Sequence, residues 1–167
     1  MKHQNPYILK VSKNKQTHKL QPETFCLNEF KEEMKIYAER ELKKAGKPHV
    51  HVEIFRDYYV DTFWVHTDRK CLKQIFTILL DNAVKHTYTG YILFDFQISS
   101  VSPVHNNVSF FIDDTGSGIY NKNDLNYPIA QGLIQKLGGE MEVTPSDNAG
   151  ITVQFNIVCT PFDLNEN

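Results

Sequence analysis

The chain is short of cysteine. Cys26, Cys71 and Cys159 are its three, odd in number and far apart, and no C-x-x-C occurs. That argues against a disulfide framework or a thiolate metal site and fits small buried thiols in a reducing compartment. No run of about 18 apolar residues is present, so nothing reads as a membrane-spanning helix. Residues 1–10 contain no apolar stretch of the secretory type. Charge of one sign is missing too: 18 Lys and Arg stand against 20 Asp and Glu, a net charge of -2. A dedicated nucleic-acid binder would carry a basic surplus to neutralise phosphates. There is no internal repeat. What is present, 167 residues with 41% apolar, 11 Phe and 8 Tyr, is enough material for one packed domain without a metal or disulfide staple.

Periodicity divides the chain into three parts. Residues 1–24 read as a basic leader or linker, with Lys2, Lys10, Lys13, Lys15 and Lys19 unopposed until Glu23. Residues 25–160 read as the folded domain, and 161–167 as a polar tail. Within the domain, Phe30, Met34, Tyr37, Ala38 and Leu42 predict a helix over 28–45, capped by Asn28 and stopped by Gly46 and Pro48. Alternation predicts strands at 50–54 and 58–65, with a turn at Asp57. The strongest helix spans 68–86, where Leu72, Ile75, Phe76, Leu79, Leu80 and Ala83 make a wide apolar face behind a Thr67 or Asp68 cap. Strands at 91–99 and 108–113, a helix at 128–137 ended by Gly138-Gly139, and strands at 140–144 and 151–158 complete the pattern. The order helix, two strands, three times over, predicts an α+β two-layer sandwich, one mixed sheet with the helices on one face.

Two segments carry candidate chemistry. At the end of the strongest helix, Asn82, Lys85 and His86 stand at i, i+3 and i+4 and share a face. An amide oxygen can enter the shell of Mg²⁺, and a lysine is a point charge for phosphate. The plainer alternative is a helix end whose cations complement the dipole. The second segment, Asp113-Asp114-Thr115-Gly116-Ser117-Gly118, runs a strand into a carboxylate and two glycines, which let backbone approach a ligand closely. An ordinary turn has the same composition. His49 and His51 also share a strand face, but no third ligand stands nearby, and they read as exposed strand residues.

In this order, the two segments resemble the N box and G1 box of the ATP-binding domain of sensor histidine kinases, within the gyrase/Hsp90/histidine-kinase/MutL superfamily. The resemblance covers roughly residues 27–158. It implies the Bergerat fold and a site for ATP or ADP with Mg²⁺. Asn82 would hold the metal, and Lys85 and His86 would lie along the phosphates and the adenosine. Asp114 would bind the adenine amine, Gly116 and Gly118 would shape the loop beneath the base, and Thr152 would stand at the adenine end. It also implies partners: a dimerisation domain bearing the phosphoaccepting histidine, outside this chain, and a response regulator. The expected setting is the cytoplasmic part of a larger sensor, with no nucleic-acid or membrane contact by this chain.

The sequence departs from that pattern on the phosphate side. Ile78 replaces a polar residue one turn before Asn82, only Tyr120–Asn123 stands where a long lid is usual, and Asp124-Leu125-Asn126-Tyr127-Pro128 lacks the G2 glycines. No phosphoaccepting histidine is evident, since Pro22 stands too close to His18. The expectation is therefore weak nucleotide binding with poor or no catalysis in isolation. The alternative is a degenerate, non-catalytic signalling module. A gyrase- or MutL-type ATPase fits worse, for it needs a glutamate at the position of Ile78.

Overall fold

The computed structural model describes residues 19–55, 62–101, 106–118 and 126–161. Its elements are β1 (Glu23–Cys26), α1 (Leu27–Lys44), β2 (His51–Glu53), β3 (Trp64–Thr67), α2 (Arg69–His86), β4 (Tyr91–Val101), β5 (Asn106–Asp114), α3 (Asn126–Lys136), β6 (Met141–Pro145) and β7 (Ile151–Pro161). The strands form one sheet in the order β1-β3-β7-β5-β4-β2, with β6 also paired to β7. The β2–β4 pair is parallel and the other pairs are antiparallel. The α+β sandwich with a mixed sheet stands as read from the pattern.

The core lies between that sheet and the helices. Leu72, Ile75, Phe76, Leu79, Leu80 and Ala83 are all buried, as the helical period requires. Phe76 is the hub of an aromatic cluster, with ring centroids 5.3 Å from Phe30, 5.9 Å from Phe94, 5.4 Å from Phe110 and 5.7 Å from Phe155. All four contacts are edge-on, the arrangement that the ring quadrupole favours. One helix and three strands are thereby locked around a single side chain.

Local signals are met at some ends and not at others. Asp68 caps α2 by accepting a hydrogen bond from the Cys71 N–H at 2.9 Å, and its other oxygen accepts from the Gln21 N–H at 2.8 Å. Asn28 does not cap α1. The helix starts a residue earlier, behind Cys26, and no side chain caps it. The Asn28 side chain instead accepts from the Phe63 N–H at 2.9 Å, tying the start of α1 to the approach of β3. β1 begins at Glu23, inside the segment read as a leader, and pairs with β3 from Glu23 opposite Thr67 to Cys26 opposite Trp64. β7 likewise continues to Pro161, opposite Val65. The turn at Asp57, the first residues of the predicted strand at 58–65, His18, Tyr120–Asn123 and Asp124 lie outside the described residues.

Lys31 on α1 is buried. Its ammonium donates to the Phe55 carbonyl at 2.7 Å and to the Asp95 carboxylate at 2.9 Å, beside the Phe96 ring. Asp95 also accepts from the Phe55 N–H at 2.7 Å and the Phe96 N–H at 2.8 Å. This pair fastens α1 to the β4 edge and satisfies backbone groups where β2 has ended.

Candidate functional site

The end of α2 and the end of β5 meet. Asp114 is the last residue of β5, and its backbone partner across the sheet is Ile92 on β4. Along β5, Val108, Phe110, Ile112 and Asp114 are buried at alternate positions, so Asp114 shares the face of the sheet that the helices cover. Its carboxylate is 3% exposed, an unusual place for a charge. It accepts from the Gly116 N–H at 2.8 Å and from the Ile151 N–H. Burial pushes its pKa above the ordinary carboxylate value, and the neighbouring Asp113 adds to this. The two N–H donors and nearby His86 pull the other way without cancelling it.

The glycines make this possible. A Cβ on Gly116 would stand 2.7 Å from both the Asp114 carboxylate and the His86 carbonyl. Gly118 has φ +66, and a Cβ there would come within 2.6 Å of the Ala149 carbonyl. The Ser117 N–H donates to the His86 carbonyl at 3.3 Å, closing the loop against the last turn of α2. Thr115 buttresses it from behind, donating to the Thr89 carbonyl at 2.8 Å and accepting from the Tyr91 N–H at 3.0 Å.

The helix end itself is capped from outside. Lys47, after α1, donates to the carbonyls of Val84 at 2.7 Å and Lys85 at 3.0 Å, with its ammonium 4.0 Å from the Tyr88 ring centroid. It thus supplies the cation that a helix C-terminus favours. Lys85 is exposed and His86 half-buried.

Three buried side-chain polar atoms have no hydrogen-bond partner among the described residues, and two lie at this end of α2: Asn82 Nδ2 and, one residue past the helix, Thr87 Oγ1. Asn82 is 3% exposed, and its Oδ1 accepts from the Asn126 amide at the start of α3, at 3.1 Å. Buried groups left unpaired cost about 1–3 kcal/mol each. Each is therefore a place where a polar ligand or water would be accommodated.

The structure thus brings together Asp114, Gly116, Gly118 and His86, and sets Asn82 and Lys85 on the preceding turn. It does not bring Thr152 to them. Thr152 pairs with Asp113, and its hydroxyl donates to the Asp113 carboxylate at 2.6 Å. Asp113 and Asp114 are successive strand residues and face opposite sides. His49 is engaged with the Tyr88 carbonyl at 2.8 Å, and no cluster of three or more metal-binding side chains occurs among the described residues. Sequence reasoning missed Gly150, where a Cβ would stand 1.7 Å from the Asp114 carbonyl oxygen and 2.5 Å from its carboxylate. It also missed Thr87 and Asn126, whose importance lies in contacts across the fold. A separate concavity of about 650 Å³, lined by Gln97, Ser109, Phe111, Glu142, Gln154 and Asn156 among others, contains none of these site residues.

Structural comparison places this arrangement among known folds. The chain superposes on the Acinetobacter baumannii histidine kinase AdeS with a TM-score of 0.63 at 22% identity, covering 95% of this chain and 76% of that one. The fold is that of a histidine kinase ATP-binding domain. The mycobacterial sensor histidine kinase MprB superposes with a TM-score of 0.59 at 16% identity, over 85% of this chain and all of that chain. Full-length ShkA, solved in complex with AMPPNP, gives 0.66 at 18% identity, over 86% of this chain and 32% of that chain. By sequence, the chain is 26% identical over 117 residues to hybrid signal transduction histidine kinase B of Dictyostelium discoideum. That match takes in 57% of this chain and 6% of that protein's length. No protein-family model matches. The resemblance read from the N-box and G1-box residues therefore holds at the level of the histidine kinase fold.

The residues suit the two parts of a Mg·nucleotide unequally. A buried carboxylate backed by glycines fits an adenine edge. The cation fares worse. Mg²⁺ needs oxygen ligands at fixed octahedral positions, and here Asn82 offers its oxygen to Asn126 while Ile78, packed on the core, offers nothing. Among the described residues, this arrangement does not fit the metal.

Proposed function

We propose that this chain is the ATP-binding domain of a sensor histidine kinase, holding the nucleotide from which a histidine on a dimerisation domain outside residues 1–167 is phosphorylated. The folded unit in this reading spans about residues 23–161, with a basic linker before it. The observation that carries the proposal is the buried Asp114 carboxylate, held by a glycine loop against the C-terminal end of α2 in this fold. A carboxylate in that setting accepts a hydrogen bond from an exocyclic amine such as adenine N6, a charge-assisted contact contributing about 1.5–3 kcal/mol. Gly116 and Gly118 leave room for a flat base, His86 flanks it, and Lys85 supplies a charge for the phosphates. In the reaction the γ-phosphorus–oxygen bond of ATP breaks as a phosphorus–nitrogen bond forms to the imidazole, which releases its proton. Such transfer depends on charge stabilisation and positioning at the phosphates.

A second reading, a nucleotide-binding signalling module without catalysis, is favoured by one observation: Ile78 packs on the core where a polar side chain would orient phosphate or water. Calorimetric titration with ADP and ATP tests the shared part of both readings. Binding should be measurable, and Asp114→Ala should weaken it at least about tenfold. No binding at millimolar nucleotide would refute both. Phosphate transfer from ATP to a supplied dimerisation domain separates kinase from module.

A further inference from the structure

The amide of Asn82 has two ends, and Asn126 decides which is available. Asn126 reaches from the first residue of α3 and donates its amide to Asn82 Oδ1 at 3.1 Å. The remaining end is the amide nitrogen, buried and without a partner among the described residues. A carboxamide has an acceptor end and a donor end; here the acceptor is already engaged by Asn126, and the end left wholly unpaired is the donor. A donor cannot enter the shell of a cation, but it can meet a phosphate oxygen.

We propose that Asn126 is a positioning residue that turns Asn82 into a hydrogen-bond donor for an anionic phosphate, so that nucleotide binding by this chain does not depend on Mg²⁺. Two neighbours on α2 offer a metal nothing. Ile78, one turn earlier, is apolar and packed on the core. Asp81 is occupied elsewhere, accepting from the Tyr37 hydroxyl at 2.7 Å. A buried unpaired nitrogen is a standing cost, and an anionic oxygen relieves it. The nucleotide half of this proposal rests on the adenine-site reading above. The amide's polarity does not.

The test uses the ¹⁵N-labelled 167-residue chain, with the side-chain signal of Asn82 assigned by its loss in Asn82→Ala. Inorganic pyrophosphate is expected to shift that signal saturably, and MgCl₂ alone to leave it in place. Asn126→Asp presents an acceptor instead, draws the Asn82 NH₂ towards α3 and frees the oxygen. In that variant Mg²⁺ should shift the signal and pyrophosphate should not. Asn126→Ala commits neither end, and both titrants should act. By calorimetry, ADP affinity of the unaltered chain should agree within about threefold between Mg²⁺ and EDTA, and in Asn126→Asp it should fall at least about tenfold in EDTA. A Mg²⁺-induced shift in the unaltered chain, a tenfold loss of its ADP affinity in EDTA, or an Asn126→Asp variant that behaves like the unaltered chain would overturn the proposal. So would a signal that pyrophosphate leaves unmoved. If pyrophosphate shifts Asn82 while neither ADP nor ATP binds, the adenine reading fails and the donor role of Asn82 stands.

Discussion

Replacing Asp114 with asparagine separates what this residue costs the fold from what it gives a ligand. The carboxylate is 3% exposed, and burial raises its pKa. A raised acid pKa means that the folded protein holds the proton more tightly than the unfolded chain does. The resulting penalty is absent below the unfolded value of about 3.9. It grows as pH rises towards the folded value and is complete above it. The substituted amide carries no charge and escapes the penalty. It keeps an oxygen for the Gly116 N–H, which Asp114 holds at 2.8 Å. Its NH₂ opposes whichever backbone donor faced the second oxygen, at a cost of about 1–3 kcal/mol that does not vary with pH. The sign therefore follows: urea unfolding should show Asp114→Asn gaining stability relative to the unaltered protein between pH 4 and pH 7. Adenine binding moves the other way. A charge-assisted bond of about 1.5–3 kcal/mol becomes a neutral one of about 0.5–1.5, and the difference corresponds to roughly tenfold weaker nucleotide binding by calorimetry. A variant that loses relative stability over that pH interval would refute the account of Asp114 as a charge held against its solvation. Unchanged nucleotide affinity would refute its role as the adenine contact.

Other substitutions probe the scaffold. Gly150→Ala should cost about 1–3 kcal/mol from overpacking and should weaken nucleotide binding with it, because the new Cβ would stand 1.7 Å from the Asp114 carbonyl oxygen. A variant as stable as the parent would refute that close approach. Phe76→Ala removes the ring shared by Phe30, Phe94, Phe110 and Phe155, and denaturant unfolding should show a loss of about 3–5 kcal/mol. Lys31→Ala leaves the Asp95 carboxylate buried without its cation and should cost about 3–5 kcal/mol. Adding Asp95→Asn to Lys31→Met should recover most of that, since the Phe55 and Phe96 N–H groups keep an acceptor.

How much could be read in advance depended on whether the signal was local. The buried face of α2 and its Asp68 cap follow from spacing within one helix, and the structure shows both. The glycines after Asp114 were readable because close backbone approach admits little else. β1 was not, since four residues following a basic stretch become a strand only when β3, about 40 residues later, supplies their partners. Asn28 has the right chemistry for a cap, but the Phe63 N–H claims its side chain. Nothing in the spacing of α1 singles out Lys31, and only the fold brings Asp95 to it. Thr152 failed to reach Asp114 for a reason of register: pairing with Asp113 fixes which side of β7 it faces. A motif position alone does not carry that information.

The two halves of the site are therefore independent in a physical sense. In the proposed site the adenine half is one carboxylate held by backbone: N–H groups of Gly116 and Ile151 on Asp114, and a carbonyl of His86 under the glycine loop. The phosphate half is made by side chains, and each can be lost alone. Ile78 costs the fold nothing, because it gains core contacts in exchange for a polar function. Asn126 goes further, since its bond to Asn82 ties α3 to α2 at the point where a metal ligand would otherwise be needed. On the proposed reading, transfer chemistry rests on the phosphate side chains, so changes there would abolish transfer while leaving the Asp114 contact in place.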